Sequence, residues 1–432
     1  MQNTVKEQID KNSMSAFQMA IVAICFILNF NDGIDVLVVT FSSADIIKEW
    51  ALSKAEMGYI FSAGLAGMTT GAFLLAPQAD KIGRRAMFII SLCLITLGMI
   101  AVYFCPNYIL MLCFRFVTGL GIGGILPSLT ATASEFANIK HRDFSVSLVQ
   151  AGWPIGAILT GFFCAYAIPQ YGWRLAFLIA GCISALMLVG VIIFMPNSPD
   201  FLINKQPKNA LNKLNNLLQK MSIAAYDYLP KPEGNKTKPT INSLLSGEYK
   251  NDTLKLWFGA FFGFITLYTI MSWIPTIAKD SGLPFEMATY LGIVLNMGAA
   301  IGSASIGAIG SKFGLKQTVL TFMILAFIVM QIYGNMLLPI TFIFVCVFGI
   351  GLFVQGGFNG IWPTLARVYP SEIRATGVGL TVGIGRFGAI LGPSLFGILS
   401  DAGLGKSALF FLFSIPLLVM GITLSRLKST HL

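Results

Sequence analysis

Residues 16–41, AFQMAIVAICFILNFNDGIDVLVVTF, are written for lipid except where Asn31-Asp32-Gly33-Ile34-Asp35 sets two acids in the run. Roughly 20 apolar residues cross a bilayer as a helix, so this segment crosses and carries two carboxylates with it. Residues three apart share a helix face, which puts Asp32 and Asp35 one turn apart on one side. Gly33 leaves room beside that face. Carboxylates at membrane depth are costly and face a bundle interior, a partner cation or a water-filled path, which marks them as a candidate functional site. The competing reading is a structural pair at the helix mouth. At about 1.5 Å per residue, a span that ends at Phe41 would leave Asp35 near the far interface.

The rest of the chain repeats the lipid pattern. Of its 432 residues, 55% are hydrophobic and 11% charged, and the mean hydropathy is +0.75. Apolar runs of about 20 residues between polar breaks number twelve, which predicts an all-α, polytopic membrane protein with both ends on one side. Most of the 29 Lys and Arg fall in the segments on the N-terminal side. That bias predicts cytoplasmic termini in the cell (inner) membrane. Residues 1–15 show no cleavable signal pattern, so the first span is expected to be retained.

The net charge of +10 needs no nucleic acid to explain it, because lysines at 205, 208, 213, 220, 231, 236, 238, 250 and 255 crowd one loop and would face anionic head groups. Seven cysteines sit in or beside apolar runs without metal-like spacing, and only His141 and His431 are present. No phosphate-cradling loop or nucleophile elbow occurs. Neither a metal, a cofactor nor an enzymatic activity is therefore expected.

The longest polar interval separates an N-terminal six-span bundle, 1–195, from a C-terminal one, 253–432. This linker, 196–252, is rich in turn formers at Pro230, Pro232, Gly234 and Pro239. Within it, Leu211, Leu214, Leu217 and Leu218 fall at helical spacing, which predicts an amphipathic helix lying along the inner membrane face. The halves echo each other. Asp80-Lys81-Ile82-Gly83-Arg84-Arg85 matches Ser311-Lys312-Phe313-Gly314-Leu315-Lys316 at an offset of 231 residues, and Gly156-Ala157-Ile158-Leu159 matches Gly388-Ala389-Ile390-Leu391 at 232. Two unrelated matches at one offset argue for tandem duplication, as in carriers that rock two bundles about a midplane site.

The turn Ala79–Arg85, with Gly71 upstream, resembles the loop between the second and third helices of the major facilitator superfamily, although Ala76 stands where that family usually has Gly and Pro77 is inserted. The resemblance implies a charged gating latch at Asp80, Gly83, Arg84 and Arg85; a simple positive-inside stop signal would use the same arginines. Arg115 followed by Gly119, Gly121, Gly123 and Gly124 is similar to the superfamily's fourth helix. Counted inward at 1.5 Å per residue, Arg115 lies roughly 10 Å from the outer face and can neutralise Asp32 or Asp35.

Arg386, about 18 Å into the eleventh span, needs either an acid partner or the carboxylate of a substrate. Glu135, Arg142, Glu372 and Arg374 sit at inner helix ends and are expected in latch contacts. Gln150, Trp153, Tyr268, Trp273, Asn296, Gln355 and Asn359 recur in spans that would line a cavity, and a few polar groups among aromatic walls suit a small planar ligand. Each can equally be interhelical packing.

Taken together, the acid-Gly-x-acid element, the Asp80 turn, Arg115, Glu135 and the Arg374/Arg386 pair resemble the aromatic acid:proton symporter branch. Pro196-Asn197-Ser198-Pro199 is similar to an element shared with sugar porters, with Asn197 in place of its Glu. What the resemblance implies is uptake of a small aromatic carboxylate, benzoate- or hydroxybenzoate-like, with protons and by alternating access, by a monomer whose partners are the organic anion, protons and lipid. Two crowded carboxylates repel, so one of them can hold a proton near neutral pH. Drug/proton antiport, sugar or polyol transport on the same fold, and a transport-dead sensor are the alternatives.

Overall fold

A computed structural model describes residues 5–229, 241–245, 249–336 and 339–427. In chain order its helices are α1 (Val5–Lys11), α2 (Ala16–Trp50), α3 (Lys54–Leu74), α4 (Ala79–Ile82), α5 (Arg84–Tyr103), α6 (Tyr108–Phe136), α7 (Arg142–Tyr171), α8 (Trp173–Phe194) and α9 (Pro199–Lys205). They continue as α10 (Ala210–Lys220), α11 (Ile241–Leu245), α12 (Lys250–Asp280), α13 (Phe285–Phe313), α14 (Leu315–Asn335), α15 (Ile340–Asn359), α16 (Ile361–Val368), α17 (Ser371–Asp401) and α18 (Lys406–Ser425). Among the described residues, 12 helical segments are long and apolar enough to cross a membrane, and there is no strand. Helices suit this solvent because every backbone N–H and C=O is satisfied within the segment. The turn-rich stretch around Pro230–Pro239 and Lys231, Lys236 and Lys238 lie outside the described residues.

By backbone contact the chain forms two compact units. One comprises Met1–Val36, Ala66–Ala157 and Arg174–Lys236; the other comprises Leu37–Leu65, Ile158–Trp173 and Thr237–Leu432. The chain thus passes from one unit to the other within α2, α3 and α7 and again at the start of α8.

The duplication is visible in packing as well as in sequence. A Cβ on Gly156 would stand 2.2 Å from the carbonyl oxygen of Phe30, and one on Gly388 would stand 2.1 Å from that of Phe261. Both partners are displaced by the same repeat. Gly67 against Phe116 and Gly298 against Phe348 form a second such couple, at 2.1 and 2.2 Å. Each is a backbone-to-backbone approach that only a residue without a side chain permits, the usual device for close helix contact in a membrane. The paired basic turns agree too: Gly83 (φ 95°) and Gly314 (φ 86°) both adopt the left-handed backbone that separates one helix from the next.

Two expectations change. The first helix does not stop at Phe41 but runs to Trp50, so Asp35 lies about 22 Å before its end rather than at an interface. Ser43 and Asp45, polar residues just past Phe41, are both paired with α12, so they do not end the helix. The linker helix forms as α10, but its apolar face is spent on protein. Leu214, Leu217 and Leu218 are buried in a cluster with Val5, Ile9 and Phe136. Asn215 pins the return of the chain, donating to the Tyr226 carbonyl at 2.8 Å and accepting from its N–H at 2.9 Å. Each buried leucine contributes about 1.5–3 kcal/mol relative to exposure.

Candidate functional site

In the first unit the acids of α2 meet the arginine of α6. Arg115 Nη1 donates to Asp35 Oδ1 at 2.8 Å, and the two side chains are 4% and 1% exposed. Asp32, one turn earlier, is also buried. The second oxygen of Asp35, Oδ2, and Arg115 Nε have no hydrogen-bond partner among the described residues. A buried pair that is only singly bonded keeps capacity for another donor and another acceptor. Asn31, beside Asp32, accepts from Ser184 Oγ at 2.9 Å.

The register of this site is set by α7 lying against α2. Asn29 Nδ2 donates to the Val149 carbonyl at 2.8 Å. The room left by Gly33 is filled by backbone, since a Cβ there would stand 2.3 Å from the carbonyl oxygen of Trp153. Trp153 is half-buried on this contact, whereas Gln150 is exposed.

At the Arg84 end of the same unit, Arg84 pairs with Glu135 at 2.5 Å and also donates through Nε at 2.8 Å. Arg85 donates to the Ile192 carbonyl at 2.6 Å, and Arg142 pairs with Asp10 at 2.5 Å. Gly83 faces the ring of Phe201. Asp80 is exposed. The arginines are therefore engaged beyond what a stop signal would need, and Asp10, in the short α1, is a partner that sequence reading missed.

In the second unit Arg386 is half-buried on α17 and makes no ion pair or hydrogen bond among the described residues. Tyr268 stacks on Phe264 with ring centroids 5.8 Å apart and planes 6° from parallel. Asn359 donates to Ser303 Oγ at 2.6 Å, while its Oδ1 is approached by Gln355 Nε2 at 3.3 Å and Trp362 Nε1 at 3.4 Å. Ser303 and Trp362 were not foreseen. Trp362 sits three residues after Asn359, a helical spacing that could have flagged it. Asn296 donates to the Gly292 carbonyl at 2.8 Å and keeps Oδ1 buried without a partner among the described residues.

Trp273 is not a cavity residue. It is 1% exposed, stacks on Phe396 at 5.2 Å and donates Nε1 to the Pro393 carbonyl at 3.1 Å. Arg374 donates Nε to the Tyr369 carbonyl at 3.1 Å; the side chain of Glu372 lies outside the described set. Burial pushes the Tyr369 phenol up, against the hydrogen bond it makes to Thr253.

A buried ion pair in a chain whose described residues include 12 helices long and apolar enough to cross a membrane is the make-up of a membrane carrier. The family model of the Major Facilitator Superfamily matches residues 21–366 and 256–430, and the chain belongs to that superfamily. It is 30% identical over 413 residues to a gallate transporter of Pseudomonas putida, covering 95% of this chain and 92% of the relative. It is also 30% identical over 396 residues to a 4-hydroxybenzoate transporter, PcaK, of Acinetobacter baylyi, covering 90% and 87%. Relatives of this kind bear out the resemblance to the aromatic acid:proton symporter branch. The fold is similar to the inward open conformation of the Escherichia coli xylose transporter XylE, with TM-score 0.74, 15% identity and coverage of 95% and 96%.

Proposed function

We propose that this protein takes up a small aromatic monocarboxylate together with a proton, by alternating access between two six-helix bundles, 1–195 and 253–432, joined by the segment 196–252. It works as a monomer in the cell (inner) membrane with both termini in the cytoplasm, the side the Lys and Arg bias favours. The observation that carries the reading is Arg386, a half-buried guanidinium with no protein partner among the described residues, in a chain whose relatives carry gallate and 4-hydroxybenzoate. A guanidinium binds a carboxylate through two parallel hydrogen bonds. Tyr268 offers a ring face, and Gln355, Asn359 and Asn296 offer donors and acceptors for ring substituents. Trp153 and Gln150 supply the corresponding surface on α7.

Asp35 is the proton carrier in this scheme and Asp32 its neighbour. Protonation of Asp35 weakens its hold on Arg115 and shifts the balance between the two access states. A ligand shifts such a balance only by its differential affinity for them, and here the proton is that ligand. Arg84, Arg85, Glu135, Arg142 and Arg374, with Asp80, Gly83 and Glu372, gate the cytoplasmic end. One proton entering with one anion moves no net charge.

The test is initial-rate uptake of labelled 4-hydroxybenzoate, benzoate, nicotinate and a neutral sugar into right-side-out vesicles. At least one aromatic carboxylate is expected to be carried and the sugar not. Arg386→Lys, which keeps the charge but loses the planar fork, is expected to raise KM about tenfold or more, equivalent to roughly 1.4 kcal/mol. Sugar uptake that survives Arg386→Ala unchanged would overturn the reading.

A further inference from the structure

Lys406, the first residue of α18, differs from the other cations at its end of the second unit. Its ammonium lies 3.8 Å from the centroid of the Tyr333 ring on α14, the side chain is half-buried, and it has no carboxylate partner among the described residues. Lys54 and Lys279, by contrast, are paired with Asp280 at 2.7 Å and with Asp45 at 2.6 Å. Asp401, the acid nearest to Lys406 in sequence, already accepts the N–H groups of Lys54 and Ala55 at 3.0 and 2.7 Å.

The polar side chains around Lys406 bond one another instead. Ser407 Oγ donates to Asn335 Oδ1, and Asn335 Nδ2 donates to the Gln331 carbonyl at 2.9 Å. Gln331 Nε2 donates to Ser414 Oγ at 2.7 Å, which itself donates to the Phe411 carbonyl at 2.8 Å. This chain ties α14 to α18 and leaves the ammonium aside. A lysine carries three N–H donors and no acceptor. The face of an aromatic ring attracts its charge but leaves donors open on the side away from the ring. That ring is a fixed floor, since Tyr333 is 1% exposed and packs on Phe410 with centroids 4.9 Å apart.

Deeper along the same two helices the surface is apolar. Phe411, Ile415 and Ile422 of α18 and Ile324 and Ile328 of α14 are exposed, at spacings that put each set on one helix face. Phe327 meets Phe411 across the seam, ring centroids 6.4 Å apart. An open cation at the rim of an apolar lane matches a ligand of two parts, an anionic head and hydrocarbon chains. A free anion would use the rim alone.

We propose that Lys406 and the α14–α18 lane bind an anionic phospholipid, its phosphate on the ammonium and its acyl chains along the exposed isoleucines and Phe411. The site lies at the membrane face where α18 begins, opposite the C-terminal end of that helix. A zwitterionic lipid brings a cation of its own and gains less from Lys406, so the site selects for net negative charge. The lipid binds whatever solute the protein carries.

The test places a photoreactive benzoylphenylalanine at Phe411, about 7.5 Å along the helix from Lys406, in the full chain reconstituted with equal parts phosphatidylglycerol and phosphatidylcholine. Lipid adducts formed on illumination are counted by mass spectrometry. Phosphatidylglycerol adducts are expected to exceed phosphatidylcholine adducts about fivefold, the preference that one lysine confers near a charged head group. Lys406→Gln is expected to bring the ratio close to one and Lys406→Arg to keep it. Equal yields with Lys406 in place, or an enrichment undiminished in Lys406→Gln, would overturn the lipid site. Loss of the enrichment on adding inorganic phosphate would also overturn it, by showing that the rim takes a free anion.

Discussion

Asp35 and Arg115 are each almost wholly excluded from solvent and joined by one hydrogen bond of 2.8 Å. Removing one partner of such a pair strands the other charge at a cost of about 3–5 kcal/mol, whereas replacing both with apolar groups of similar size is often neutral. Arg115→Met is accordingly expected to lower the thermal unfolding temperature in detergent markedly, and adding Asp35→Leu to recover most of the loss while transport stays absent. Equal destabilisation by the single and the double change would show that the pair contributes packing alone. Sequence could place both groups at similar depth by counting from opposite ends of their helices. It could not choose between Asp32 and Asp35 as partner of Arg115, because depth along a helix says nothing about which way a neighbouring helix turns. Trp273 failed for a related reason: an aromatic residue in a spanning helix suits a cavity wall and a packed seam equally, and only the presence of Phe61 and Phe396 beside it decides.

At the scale of elements, hydropathy located the spanning helices because a membrane demands unbroken apolar length. It misjudged where the first one ends, because it weighs residue type and cannot see that Ser43 and Asp45 have partners on α12. The linker helix makes the same point from the other side. Its leucine spacing reported an apolar face without saying what covers it, and that face is buried in a protein cluster to which α1, α9 and the end of α6 all contribute. Leu218 is fully buried there, and Leu218→Ala is expected to cost about 2–5 kcal/mol by the usual cavity penalty. The change should appear as a lower unfolding temperature of the purified protein. A helix resting on lipid would show no such loss.

For the whole molecule, duplication left the clearest trace. Gly156 and Gly388 meet the same backbone atom of equivalent phenylalanines, and the two glycine turns share one backbone conformation. The chemistry is laid unevenly over this repeated frame. The first half supplies the buried acids and Arg115, the second supplies Arg386 and the Asn359 network, and the matching positions in the other half are not charged in the same way. An uneven distribution of this kind suits a carrier that handles a cation and an anion in one cycle. Coupling between the two is the central claim, and it is tested most directly by following internal pH in proteoliposomes when 4-hydroxybenzoate is added outside, with protein-free liposomes as the baseline. The interior is expected to acidify in step with labelled substrate entry in the parent, and Asp35→Asn to abolish that acidification above baseline. Substrate entry with no accompanying acidification, or acidification undiminished in Asp35→Asn, would contradict it.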